Sequence, residues 1–448
     1  MEFEDSSLMQ EVAAVQNSET RPQFTWSCQL FTGDKTMTPL KVLSIDEDWD
    51  FENMFAPELM IKIAMPGGMY AYDVYPGQAD LEIEVTRRPL KEVGDNPDED
   101  IPERTIRYRA ILVDRGNPVM EGNNANVPTR VVLDLTKIEE VEFQLISKIV
   151  EKLRVVSIGG VYRGNTVEEV IKGILTTESA KIKIDNDTDI KGVEMLPASN
   201  TKARDHIVIP HGLPLVLLPE YIQKRCGVYS AGMGYFLLNN YWYVYPCYDT
   251  ERYAETTETF TVINVPRNKF RQVERTWRKD GDNLVIIASG DVKFRDGSNK
   301  TQLNMGNGVR FMDANVAFGD AVKVEGNKAI AARAVNNSEF ISEEREDGLK
   351  LARLSDNPIT ANPYEEFSKM ARRAGSVFAF TWENADLSLI KPGMMGKIMY
   401  LEEDEIKEVY GVILKASTFH HMTEPGYTAT RYRSNTALSI YIKMPKDK

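Results

Sequence analysis

Along much of the chain, apolar and polar residues alternate with a period of two. Leu81, Ile83 and Val85 interleave with Glu82, Glu84 and Thr86, and Ile106, Tyr108, Ala110 and Leu112 with Arg107, Arg109 and Ile111. Val131, Leu133 and Leu135 precede Val141, Phe143 and Leu145 in the same manner. Alternation puts one face in a core and the other in water, the pattern of half-buried antiparallel strands. Breaks such as 91–102 and 114–118, rich in Pro, Gly and Asp, separate the runs. From Phe24 to about Val155 this spacing predicts a sandwich or small barrel rather than a doubly wound fold. Strand signals return at 259–265, 284–289, 292–294, 309–312 and 321–324, then at 377–382, 395–401, 407–416 and 438–443.

Helical signals are few. Thr166-Val167-Glu168-Glu169 has capping-box spacing, and Val170, Ile171 and Ile174 follow on one face, which predicts a helix over 167–176. Ile146, Ile149, Val150 and Leu153 fit a helical face as well as a strand; the reading is a strand through Leu145, then a short helix. Pro219 and Gly227 frame a two-turn helix with Lys224 and Arg225 at its end. Asn362-Pro363 opens another, with Glu365 and Glu366 in the first turn, Phe367, Met370, Ala371 and Ala374 on one face, and Arg372 and Arg373 last. Gly234 to Pro246 reads as a hairpin turning at Asn239-Asn240, since Asn tolerates positive φ. No short-period repeat is visible. The fold class is therefore mainly β with minor α (α+β): two β-rich regions of roughly similar size with a helix-containing middle. The divisions are an acidic N-terminal arm at 1–23, a first β-rich region at 24–165, a middle region with the aromatic hairpin at 166–270, and a second β-rich region at 271–448 carrying an insertion helix at 363–374. The arm is polar and expected to be loose unless a partner holds it.

Composition narrows the function. The 448 residues are 42% hydrophobic and 27% charged, enough for two or three domains with real cores. No apolar run approaches 18 residues, so no membrane helix is expected. The acidic start, Met1-Glu2-Phe3-Glu4-Asp5, does not resemble a secretory signal. Cys28, Cys226 and Cys247 are too scattered for a disulfide framework or a zinc site and suit synthesis in a reducing cytoplasm. Lys and Arg against Asp and Glu sum to −14 over residues 1–100 and +1 over 101–448, which gives the net −13. Concentrated acidity repels phosphate, which argues against specific nucleic-acid binding; a solvated face or acidic tail is its simplest meaning.

Motifs for chemistry are missing or broken. Gly393-Met394-Met395-Gly396-Lys397 is too short for a phosphate loop, and Gly232-Met233-Gly234 and Gly306-Asn307-Gly308 lack the third glycine of a dinucleotide fingerprint. Asp185-Asn186-Asp187-Thr188-Asp189 opens like a calcium loop, but Ile190 and Leu196 stand where Gly and Glu belong. His420 and His421, adjacent on a strand, point to opposite faces and do not share a metal. No metal and no cofactor are expected. Asp46, Asp48 and Asp50 around Trp49 leave open a carbohydrate-active enzyme or sugar-binding protein, since two carboxylates suffice for glycoside hydrolysis. The candidate binding residues are the aromatics Tyr235, Phe236, Tyr241, Trp242, Tyr243 and Tyr245. No Lys or Arg lies between Gly227 and Thr250, so a packed core or a subunit or domain contact suits them better than a nucleic-acid platform.

Three stretches carry a resemblance. The segment from His206-Ile207-Val208-Ile209-Pro210 through Pro219-Glu220-Tyr221-Ile222-Gln223 and Gly227-Val228-Tyr229 to Tyr241-Trp242-Tyr243-Val244-Tyr245-Pro246 resembles the central region of baseplate hub proteins of contractile-tailed bacteriophages. Gly159 to Ile171 is similar to the strand–turn–helix leaving the first barrel of such hubs, and Leu389 to Lys397 with Gly411 to Leu414 to strands of their second. The resemblance spans about residues 25–445 and implies two tail-tube-like barrels in a virion protein with no enzymatic activity. It also implies a homotrimer that joins the tail tube protein to the central spike protein and the baseplate wedge proteins. A channel would pass the tape measure protein and then DNA. Another tail component, tube-terminating or wedge, is the nearest alternative. The two halves share no sequence similarity that can be scored.

Overall fold

The alternating runs become strands, and strand pairing builds most of the molecule. The structure, a computed structural model, describes residues 7–17, 24–89, 103–113, 137–184, 189–265, 276–291, 363–373, 375–402, 405–423 and 431–443, with the backbone of four short strands between 310 and 344. The expected strand at 131–135, the 292–294 signal and most of the 301–321 stretch lie outside the described residues.

The chain opens with helix α1 (Ser7–Gln16), so this part of the expected loose arm is ordered on the rest of the protein. Leu8, Val12 and Val15 recur at helical spacing and are all buried. Next come β1 (Phe24–Thr32), β2 (Lys35–Met37), β3 (Lys41–Asp50), β4 (Glu58–Pro66), a single turn α2 (Gly67–Met69), β5 (Leu81–Pro89), β6 (Arg104–Leu112) and β7 (Ile138–Ser147). They pair antiparallel in the order β2-β1-β5-β6-β7-β4-β3 and curl around Leu30, Ile45, Ile61, Ile63, Leu81, Ile83 and Phe143. The intervening residues stand on the outer face, where Glu82 binds Arg107 (2.5 Å) and Lys148 (2.9 Å), and Lys62 binds Glu140.

The middle unit follows: α3 (Lys148–Val155), β8 (Ser157–Tyr162), α4 (Val167–Ala180), β9 (Gly192–Met195), β10 (Ile207–Pro214), α5 (Leu218–Cys226), β11 (Met233–Leu238) and β12 (Tyr241–Pro246). The capping box of α4 forms in both directions between Thr166 and Glu169. This helix runs past the expected end at 176, because Ser179, polar in sequence, is buried and accepts a hydrogen bond from Trp242 Nε1 (3.1 Å). β8 pairs β10, and β11-β12-β9 form a small sheet in which β9 is parallel to β12.

The remaining elements are β13 (Thr259–Asn264), β14 (Trp277–Asp280), β15 (Asn283–Asp291), β16 (Arg310–Phe311), β17 (Val322–Glu325), β18 (Lys328–Val335), β19 (Glu339–Glu344), α6 (Pro363–Arg373), β20 (Ser376–Glu383), β21 (Met395–Glu402), β22 (Glu405–Met422) and β23 (Tyr432–Ile442). β16 to β19 make a separate antiparallel sheet. A second barrel runs β22-β21-β13-β15-β20-β23 and closes through the β22–β23 ladder. Its first strand, β13, lies in the stretch that the sequence reading placed in the middle region. β13 is also parallel to β21 and β15, a departure from an all-antiparallel barrel. It enters from the middle unit rather than through a hairpin, so no tight turn forces antiparallel pairing. Gly396 is needed on β21, since a Cβ there would sit 2.1 Å from the Phe260 ring.

The two barrels share one cyclic order. Read as β1-β5-β6-β7-β4-β3 and β13-β21-β22-β23-β20-β15, the strands correspond one to one in chain order, with only the first reversed in direction. A duplicated unit is present in the topology although the sequence carries no scorable repeat. The protein is mainly β with minor α.

Candidate functional site

The candidate geometry lies where the units meet. Two junctions dominate, and the first is the aromatic hairpin. Asn239 (φ 49°) and Asn240 (φ 68°) make its turn, as the Asn-Asn pair predicts. Strand alternation then sorts its residues onto two faces. Phe236, Leu238, Tyr243 and Tyr245 pack with Phe260, Phe378 and Met394 of the second barrel. Leu237, Trp242 and Val244 pack with α4, α5 and Ile209 of the middle unit. Tyr235 and Tyr241 are half-buried. The hairpin is thus a wall with a core on each side. The β3–β4 loop of the first barrel plugs against it: Leu237 N donates to Phe55 O (2.7 Å), Phe51 meets Phe236 edge to face at 4.8 Å, and Phe55 stacks on Trp242. Arg104 of β6 reaches Asn239 at the turn (3.1 Å). Burial pushes the Tyr243 hydroxyl up to about 12 and the Tyr245 hydroxyl well above its ordinary value, so both stay neutral, and Tyr245 donates to Phe51 O (3.5 Å).

The second junction joins barrel to barrel. β22 is long enough to serve both. Its first part, 405–412, pairs β21, and 415–421 pairs β3 from Lys415↔Asp50 to His421↔Ser44. The register breaks between Ile413 and Lys415, and the carbonyl of Leu414 at that bulge accepts from Phe51 N (2.9 Å). A bulge re-aims a strand, and here it turns β22 from one barrel to the other. Asp48 fastens the joint by accepting from Lys415 Nζ (2.8 Å) and Ser417 Oγ (2.5 Å). Arg87 of β5 reaches Asp386 of the second barrel (3.0 Å) and stacks over Phe24. His420 is buried beside Trp26 and hydrogen-bonds Ser434 through Nδ1 (2.7 Å). Burial, reinforced by Arg87, pushes its imidazole down to about 3, so it is neutral at ordinary pH. Glu47, whose carboxyl is raised by burial against the pull of Arg87 and Arg104, completes the polar cluster.

Of the carboxylates considered for sugar chemistry, Asp48 and Asp50 make local structural contacts and Asp46 is exposed. Trp49 is buried in the core, Asp48 is bound as described, and Asp50 caps a turn by accepting from Glu52 N and Asn53 N (3.1 and 3.0 Å). Of the calcium-like stretch only Asp189 is described; it accepts from Ile184 N and binds Lys183. Among the described residues no three His, Cys, Asp or Glu are grouped to hold a metal, and no helix is long and apolar enough to cross a membrane. A cavity of about 440 Å³ is lined by Lys202, Ala203, Arg204, Asp205 and His206. The barrel joint was the part missed by sequence reasoning; the one available signal was the unusual length of the 405–422 strand run.

No protein-family model and no curated protein matches the chain. Solved structures of similar outline exist. A tail protein from Neisseria meningitidis aligns over 93% of this chain and 96% of its own at 12% identity, with a TM-score of 0.45. A 43 kDa tail protein of prophage MuSo2 from Shewanella oneidensis aligns over 92% and 98% at 9% identity, with a TM-score of 0.42. A component of the type VI secretion system of E. coli, described as similar to the T4 tail proteins gp27 and gp5, aligns over 94% and 77% at 9% identity, with a TM-score of 0.38.

Proposed function

We propose that this chain is a structural part of a contractile phage tail, a baseplate hub that works as a homotrimer and catalyses nothing. The reading is carried by the repeated cyclic strand order of two barrels held edge to edge in one chain. Three copies of such a pair make a ring of six barrels, so a threefold assembly offers a nearly sixfold face. A ring of that kind suits a position between the tail tube protein and the central spike protein, flanked by baseplate wedge proteins. Its channel would pass the tape measure protein and then DNA, with acidic walls that keep phosphate from sticking. The protein would be made in the host cytoplasm and end in the virion.

Light scattering on the purified chain, with copy number measured in purified particles, tests the reading. Three copies are expected. Six per particle would favour a tube-terminating part instead. A single-copy protein that turns over cell-wall glycans, and loses that activity in Asp46→Asn or Asp48→Asn, would replace it with the carbohydrate-active reading.

A further inference from the structure

The two barrels correspond strand for strand, but they differ at one position, and that difference points to where the next copy attaches. In the first barrel the slot between β1 and β3 is not closed by a ladder. The free edge of β3 is taken by β22, and the second barrel joins there. The corresponding strands of the second barrel are β13 and β15, two and three strands around from β22. Here the slot is sealed by six parallel register pairs, Thr259↔Asn283 to Asn264↔Ala288, so another strand cannot enter. Over the outside of this sealed pair lies α1. Leu8, Val12 and Val15 pack on Ile263, Val265, Val285 and Ile287, and Glu11 binds Arg278 of β14 (3.4 Å). Helix α1 therefore occupies, on the second barrel, the place where a neighbouring barrel attaches to the first.

We propose that this α1 face is the joint to a second copy of the chain, so that the ring alternates two unlike joints: a strand ladder within each chain and a helix contact between chains. The outward side of α1 is small and polar, with Gln10, Glu11 and Ala13 exposed, and it suits close approach. The matching surface is also fixed by the correspondence. β6 of the first barrel stands where β22 stands in the second. Its register with β5 ends at Arg109, leaving the β5-side edge of 110–112 without a ladder partner among the described residues, and Ile111 is 45% exposed there. The partner is thus the β6 end of the next copy's first barrel. This inference rests on the trimer reading, which the experiment tests separately.

In a Cys226→Ser background, Ala13→Cys combined with Ile111→Cys should form disulfides between chains, seen as two- and three-chain bands without reductant. Either cysteine alone should not. Ala13→Arg should reduce the three-copy mass to that of one chain while leaving the far-ultraviolet circular dichroism of the folded chain unchanged, since Ala13 faces away from the barrel. A three-copy particle that shows neither cross-linking nor sensitivity to Ala13→Arg overturns the proposed joint and leaves the trimer standing. A one-chain mass for the unaltered protein overturns the trimer and the joint together.

Discussion

The two barrels share a strand order but handle their outer faces in opposite ways. The first is polar outside. Glu82, Glu84, Arg107, Lys62 and Glu140 stand on its surface in cross-strand charge pairs, and it needs no cover. The second carries Ile263, Val265, Val285, Ile287, Met399 and Leu401 outside its core, a stripe across β15, β13 and β21 that water does not favour. Helix α1, from the far end of the chain, shields it. The comparison shows how one topology diverges: strand order is kept, while the outer residues decide whether a surface meets water, a helix or another barrel.

The largest break in this comparison should come from uncovering the second barrel. Val12→Asp sets a charge against Val285 and Ile287, and we expect loss of the soluble folded protein or marked dye binding to exposed apolar surface, read by light scattering and fluorescence. Trp242→Ala comes next. It removes a fully buried ring that also satisfies Ser179, and should cost about 3–5 kcal/mol in denaturant unfolding.

His420 tests the joint through pH. Its folded pKa, about 3, lies below its ordinary value, so between those values the unfolded chain binds the proton and the folded protein does not. Its contribution is present above pH ~6.5 and is lost as pH falls toward ~3, by roughly a few kcal/mol in all. Glu47, raised by burial, acts in the opposite sense. His420→Gln should therefore flatten the fall in melting temperature between pH 7 and pH 4; an unchanged slope would show that the joint does not report on His420.

Smaller effects follow. Asp48→Ala strips Lys415 and Ser417 of their acceptor at the half-buried barrel joint and should cost about 1–3 kcal/mol, measured by urea unfolding. Breaking the first barrel's outer pair with Lys62→Ala should cost less than about 1 kcal/mol, because exposed ion pairs are screened. A cost at Lys62 as large as that at Asp48 would erase the distinction between outer face and joint.

Much of this was legible along the chain, in places with a local cause. Period-two runs gave β5, β6 and β7; Thr166 and Glu169 marked the start of α4; Asn239-Asn240 marked the hairpin turn. Errors arose where tertiary partners overrode composition. The helix expected over 167–176 extends to Ala180, where buried Ser179 accepts from Trp242, and Leu8, Val12 and Val15 were too few apolar residues in a polar arm to signal a docked helix. The aromatics from Tyr235 to Tyr245 were visible as a cluster, but their division between two cores was not, because strand faces acquire meaning only once both neighbours are in place.

By itself the sequence determined the class of fold, many of its strands and helices and the lack of familiar catalytic motifs in the chain, since periodicity, caps and turn residues act over a few neighbouring positions. Only the tertiary structure decided that two barrels share one cyclic order, that β22 bridges them and that the first helix shields the last barrel. Those facts depend on pairing between residues hundreds of positions apart, and hydrogen-bonded ladders leave no local signature of the strand they will choose.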